Sequence, residues 1–176
     1  MNEMSRVLRQ PERTGPRSIA VSWEDPRAAA DRGRRMDGLG YMRAMQAGEI
    51  SPPPIAVLLG FRPELFEPGH AVFVCDTAEY HCNPMGMVHG GVAATLIDSA
   101  AGCAIHTTLG PGEFWGTVDL NVTFVKGIAP ESGAIRCEGR VIHRGRSIVT
   151  AEGRVTDADG ALAAYGHITG KISRPR

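Results

Sequence analysis

The sequence lacks net charge: 19 Lys and Arg stand against 19 Asp and Glu, for a formal charge of +0. So balanced a chain offers no electrostatic footprint for nucleic acid or for an anionic membrane surface. An anionic ligand would have to be held by a few local groups. It also lacks any C-x-x-C among its four cysteines, Cys75, Cys82, Cys103 and Cys137, and no Cys/His grouping has zinc-finger spacing. Scattered cysteines of this kind imply reduced thiols in a cytoplasmic protein, with no structural metal. No apolar run approaches the ~20 residues of a membrane helix. The opening residues lack the apolar core of a signal peptide. These absences together predict a soluble, cytoplasmic chain with no metal, no cofactor, and no nucleic-acid or membrane partner.

What is there is an ordinary globular composition, 43% hydrophobic and 22% charged over 176 residues, enough for one domain and a tail. Residues 1–35 carry eight arginines, from Arg6 to Arg35, without sustained periodicity. The interspersed Glu3, Glu12, Glu24, Asp25 and Asp31 argue against a transit peptide, which is poor in acids. A flexible N-terminal tail over 1–35 and a single domain over 36–173 are therefore expected.

Within the domain, Leu39, Met42 and Met45 mark one face of a short helix over Gly38–Gln46, stopped by Ser51-Pro52-Pro53-Pro54. Residues 54–60 read as a short apolar turn or helix. A strand is expected near 71–80, a long alanine-rich helix from Val88 to about Thr108, and strands near 115–125, 134–143, 148–156 and 161–172. Asp157-Ala158-Asp159-Gly160 supplies a hairpin turn between the last two. No helical pattern interrupts these four strands, so they should pair antiparallel. The class is α+β, with one long helix laid against a curved antiparallel sheet.

That helix is apolar or small almost all round, yet it carries Asp98 in its middle. Ala94, Thr95, Ala101 and Gly102 flank it at i−4, i−3, i+3 and i+4, a small-residue stripe open to close approach. No Arg or Lys occurs from Val88 to Pro111 to neutralise it. An Asp on a narrow solvent-facing strip is one explanation. The other is a carboxylate whose desolvation is tolerated for chemistry, as general base or nucleophile. At the helix start, His89-Gly90-Gly91 exposes the unpaired first N–H groups at the positive end of the dipole, where an oxyanion is stabilised. A plain turn, suggested by Asn83-Pro84-Met85-Gly86, is the competing explanation. Gly90 and Asp98 lie eight residues apart, ~12 Å along a helix axis, too far to touch one carbonyl. If both act, they must come from two copies of the helix meeting in a dimer.

As a set, Asn83-Pro84-Met85-Gly86-Met87-Val88-His89-Gly90-Gly91, then Asp98, then Val118-Asp119-Leu120-Asn121-Val122-Thr123-Phe124, resembles the hotdog-fold acyl-CoA thioesterases. The phenylacetate-degradation (PaaI-like) type is the subgroup it is most similar to, over about residues 52–172. The resemblance implies a hotdog fold, with a long central helix wrapped by a curved antiparallel sheet. It further implies hydrolysis of an acyl- or aryl-CoA thioester without cofactor, in a homodimer with shared sites that the family often pairs into a homotetramer. By the same resemblance Gly90 offers its N–H to the thioester carbonyl, Asn83 places substrate or water, and Asp98 reaches across the dimer. Thr117 stands where a Ser or Thr orients the water. A second branch of the family places a glutamate further along the helix, where this chain has Gly102 and Cys103, so the aspartate branch is implied. His89 more simply caps or braces the loop than transfers protons, and it is grouped with Gly91 as a binding residue. Arg144-Gly145-Arg146-Ser147, a turn between strands, suits phosphate by bidentate and backbone hydrogen bonds. In the family a turn here meets the CoA nucleotide; a solvated hairpin turn explains it as well.

The strand polarity at Thr117, Asp119, Asn121 and Thr123 alternates with Val118, Leu120, Val122 and Phe124 and reads mostly as the face turned from the helix, with Thr117 singled out. Two other readings stay open. A non-catalytic acyl-CoA-binding hotdog protein would keep the fold and lose turnover. A hydratase would want a His five residues after Asp98, where Cys103 stands.

Overall fold

The computed structural model describes residues 15–174. Among the described residues four α-helices, one 3-10 turn (Glu79–His81) and six strands follow one another: α1 (Pro26–Gly33), α2 (Gly38–Gln46), α3 (Pro54–Leu59), β1 (Phe61–Glu67), β2 (His70–Asp76), α4 (Gly90–His106), β3 (Phe114–Phe124), β4 (Ala134–Arg144), β5 (Ile148–Thr156) and β6 (Leu162–Ser173). All strand pairings are antiparallel, in the order β1-β2-β4-β5-β6-β3. The sheet wraps α4, as the α+β hotdog reading expects.

A row of missing side chains lets the helix sit deep in the sheet. Ala71 pairs with Gly139, Gly139 with Gly153, and Gly153 with Gly166, which lines small residues across four strands. A Cβ on Gly139 would stand 2.2 Å from the Ala100 carbonyl carbon, and one on Gly153 would stand 2.8 Å from Ile97 Cγ2. The helix answers with its own small residues: Ala93, Ala100, Ala101 and Ala104 are all buried in the trough. Leu96, Ile97 and Ile105 are fully buried beside them, each stabilising the fold by ~1.5–3 kcal/mol relative to exposure. Phe73 meets Phe61 and Phe66 edge to face at 5.6 Å and closes the β1–β2 end.

Strand β1 is absent from the sequence-based expectation, and its composition explains why. Pro63 and three charged residues interrupt the apolar pattern, and the register shifts between Pro63 and Leu65. An edge strand tolerates both features because one side of it needs no ladder. Within the stretch assigned to the tail, α1 forms where Asp25 Oδ1 accepts from the Arg27 N–H at 2.9 Å and Pro26 occupies the first turn. Residues 1–14 of that tail lie outside the described residues.

Candidate active site

Asp98 is half-buried, and its geometry sets the site. Thr117 Oγ1 donates to Asp98 Oδ1 at 3.0 Å, tying the helix to the opposite sheet edge. No Lys, Arg or His forms an ion pair with Asp98 among the described residues. The neighbouring Cys103 thiol is pushed up to about 12 by burial, reinforced by the Asp98 charge, so it stays protonated beside the carboxylate. The two groups open on a cavity of about 380 Å³, lined also by Met42, Tyr41, Gly102 and Trp115.

Thr117 reaches Asp98 because of a bulge. The β3–β6 register shifts between Thr117 and Asp119, so Val118 is the extra residue. Thr117 pairs with buried Gly170, and Leu120, Val122 and Phe124 pair with Ile168, Gly166 and Ala164, all buried. Thr117 thus shares the helix-facing side with those apolar residues, while Asp119, Asn121 and Thr123 turn away. Strict alternation had grouped Thr117 with that outward polar row; the bulge moves it to the other face.

The remaining candidates gather at the N-terminal end of α4. His89 is the N-cap, and its Nδ1 accepts from the Gly91 N–H at 2.8 Å. That occupies the Gly91 donor, and it gives His89 the bracing role its position suggested. Gly90, first residue of the helix, precedes the i→i−4 ladder, so the helix does not consume its N–H. A Cβ here would meet the Phe124 ring at 3.0 Å. Asn83 Oδ1 accepts from the Met85 and Met87 N–H groups at 2.9 and 3.2 Å, so its carbonyl shapes the loop and its amide NH₂ is left to point elsewhere. Asn83, His89 and Gly90 line a separate cavity of about 410 Å³, bordered by Phe124 and Lys126.

The structure therefore brings Asn83, His89 and Gly90 together, and Asp98 and Thr117 together, in two different cavities of one chain. The third group stands apart. Arg144 Nη2 donates to Glu113 Oε2 at 2.6 Å, and Glu113 also binds Arg174. The Gly145 N–H closes the turn on the Ile148 carbonyl at 2.8 Å. Arg146 side-chain nitrogens make no ion pair among the described residues, and only its carbonyl is engaged, by Arg174. Trp115, Tyr41 and Phe124 line these cavities without having been singled out as site residues in the sequence. Their signal was a lone aromatic on a strand or helix, which does not say what it will face.

The arrangement sets along one helix a carboxylate with a hydroxyl partner and a first N–H that the helix leaves unpaired, with space beside each. Residues 85–164 match the model of the Thioesterase superfamily. Human acyl-coenzyme A thioesterase 13 is 30% identical over 105 residues, 58% of this chain and 72% of that one. An esterase of Halobacterium salinarum is 40% identical over 81 residues, 44% of this chain, and that match spans about half of the relative (52%). The crystal structure of a phenylacetic acid degradation-related protein from Ralstonia eutropha superposes with a TM-score of 0.68 at 26% identity, covering 74% of this chain and 98% of that one. The chain belongs to the thioesterase superfamily.

Proposed function

We propose that the substrate is an acyl- or aryl-CoA thioester, cleaved to free acid and CoA at a site completed by two subunits. The observation that carries this reading is the split of the candidate residues between two cavities on one helix, ~12 Å apart along its axis. In a homodimer the Gly90 N–H of one subunit polarises the thioester carbonyl, and Asp98 of the other faces the same carbon. Thr117 holds Asp98 Oδ1, which leaves Oδ2 free to take a proton from water or to attack directly. In the first case water oxygen bonds to the carbonyl carbon; in the second Asp98 Oδ2 bonds there, and water then opens the anhydride at the Asp98 carboxyl carbon. In both the C–S bond breaks, and the thiolate leaves as CoA-SH with the proton taken from water. A thiol of pKa about 8.5 leaves readily, so no strong general acid is needed. Asn83 positions substrate or water, and Arg144, Gly145 and Arg146 form the turn that meets the CoA phosphates, with the Arg146 side chain in no ion pair among the described residues.

Strand β3 supports the dimer. It is an edge strand of eleven residues, and Val118, Leu120, Phe124 and the following Val125 expose apolar side chains there, Val118 to 66%. An apolar, unpaired edge is an invitation to pair with a second copy. Pairing of such dimers into a tetramer follows the family habit. A cytoplasmic setting fits the four free thiols, and no helix among the described residues is long and apolar enough to cross a membrane.

The test is thiol release from a panel of aryl- and alkyl-CoA thioesters, with Asp98→Asn beside the parent. Release that collapses in Asp98→Asn supports the reading. Tight binding without release from any member would move the answer to a ligand-binding protein. A single turnover in labelled water decides between attack and proton transfer: label found in Asp98 means attack, and an unlabelled Asp98 means activated water.

A further inference from the structure

The cavity beside Asp98 ends at a wall, and a second cavity lies behind that wall. Tyr41 from α2 and His106 from the last turn of α4 line both, and no other residue is common to the two. Their ring centroids are 5.4 Å apart, tilted at 49°. The front cavity measures about 380 Å³ and the rear one about 270 Å³.

The wall is fixed from both sides. A Cβ on Gly33 of α1 would stand 2.8 Å from Tyr41 Cε2, so the phenol ring lies directly on the α1 backbone. A Cβ on Gly38 would stand 1.7 Å from the His106 carbonyl oxygen, and the Gly38 N–H donates to Leu109 O at 2.9 Å. Both short helices are thus docked on the C-terminal end of α4 without slack. Burial lowers the His106 pKa, which keeps the imidazole neutral at pH 7 and compatible with an apolar neighbour.

The path to the wall runs along one helix face. Asp98, Gly102 and His106 recur at i, i+4 and i+8. Gly102 leaves the middle of the path without a side chain, and the Trp115 ring packs over it, 2.7 Å from where a Cβ would be. From Asp98 to His106 the distance is ~12 Å along the axis.

We propose that the Tyr41–His106 pair is the stop that limits the acyl group, confining it to compact acyl moieties beside Trp115 and closing off the cavity behind. The proposal rests on the thioesterase reading above. Its substrate class follows from the position of the wall, ~12 Å along the α4 axis from Asp98. A long alkyl chain extended past Gly102 would run into the two rings.

The test measures kcat/KM of the full chain on phenylacetyl-, hexanoyl- and decanoyl-CoA. The parent should favour the compact thioesters. Tyr41→Ala should raise the decanoyl to phenylacetyl ratio by roughly tenfold or more, mainly through KM, since each added methylene gains a place to go. His106→Ala opens the same wall from the α4 side and should move the ratio the same way, which keeps the test valid if Tyr41→Ala does not fold. An active parent that already prefers decanoyl-CoA, or an unchanged ratio in the folded variants, overturns the stop. A parent silent on every thioester overturns the thioesterase reading, and the stop with it.

Discussion

The two ends of the α4 working face use opposite physics. At the N-terminus, the role we propose falls to backbone: a glycine whose N–H the helix leaves unpaired, beside a histidine that caps the next residue. Two turns on, it falls to a side chain: Asp98, held by one hydroxyl and by no cation among the described residues. The first needs the helix to begin there; the second needs the sheet to bulge at Val118 so that Thr117 arrives. A donor site is built by stopping a hydrogen-bond ladder, an acid site by bending a neighbouring one.

The largest loss is expected at the carboxylate. Asp98→Asn keeps the shape and removes the charge, and thiol release should fall by ~10³-fold, within the range for a lost general base. Circular dichroism should stay that of the parent. The backbone end is tested by Gly90→Pro, which deletes the N–H. Proline is welcome at the first helical position, and His89, at φ −62° and ψ 137°, already has the extended backbone that precedes a proline. The exposed Phe124 ring must yield to the new Cβ. The expected loss is roughly 10²-fold in kcat, as for an oxyanion donor.

Smaller effects sharpen the picture. Thr117→Val removes the hydrogen bond to Asp98 and should lower kcat by about tenfold, the worth of one bond to a charged group. KM should change little, because Thr117 orients the acid without gripping CoA. Arg146→Ala should raise KM for a CoA thioester by a few-fold, the scale of one exposed ion pair. A short thioester lacking the nucleotide should show no change; an equal rise on both would remove the turn from CoA binding.

Much of this was legible in the sequence. The long helix, the four strands after it and the glycine-rich start of α4 follow from periodicity and composition. Three things did not. Strand β1 hides behind Pro63 and its charges, because an edge strand can carry residues that a central strand rejects. The face of Thr117 depends on one extra residue in β3, and strict alternation has no means of announcing a bulge. The cavity wall needs Tyr41 and His106, 65 positions apart in sequence, brought together by Gly33 and Gly38. Each glycine's role lies in what it lets approach, which only the packed chain reveals.

In the proposed dimer one site takes Gly90 from one subunit and Asp98 from the other. Mixing Gly90→Pro and Asp98→Asn protein in equal amounts, unfolding, refolding them together and measuring thiol release tests that sharing. Shared sites predict recovery to roughly a quarter of the parent rate, since half of the dimers are mixed and each keeps one intact pair. A mixture no faster than the average of the two variants alone would contradict the account.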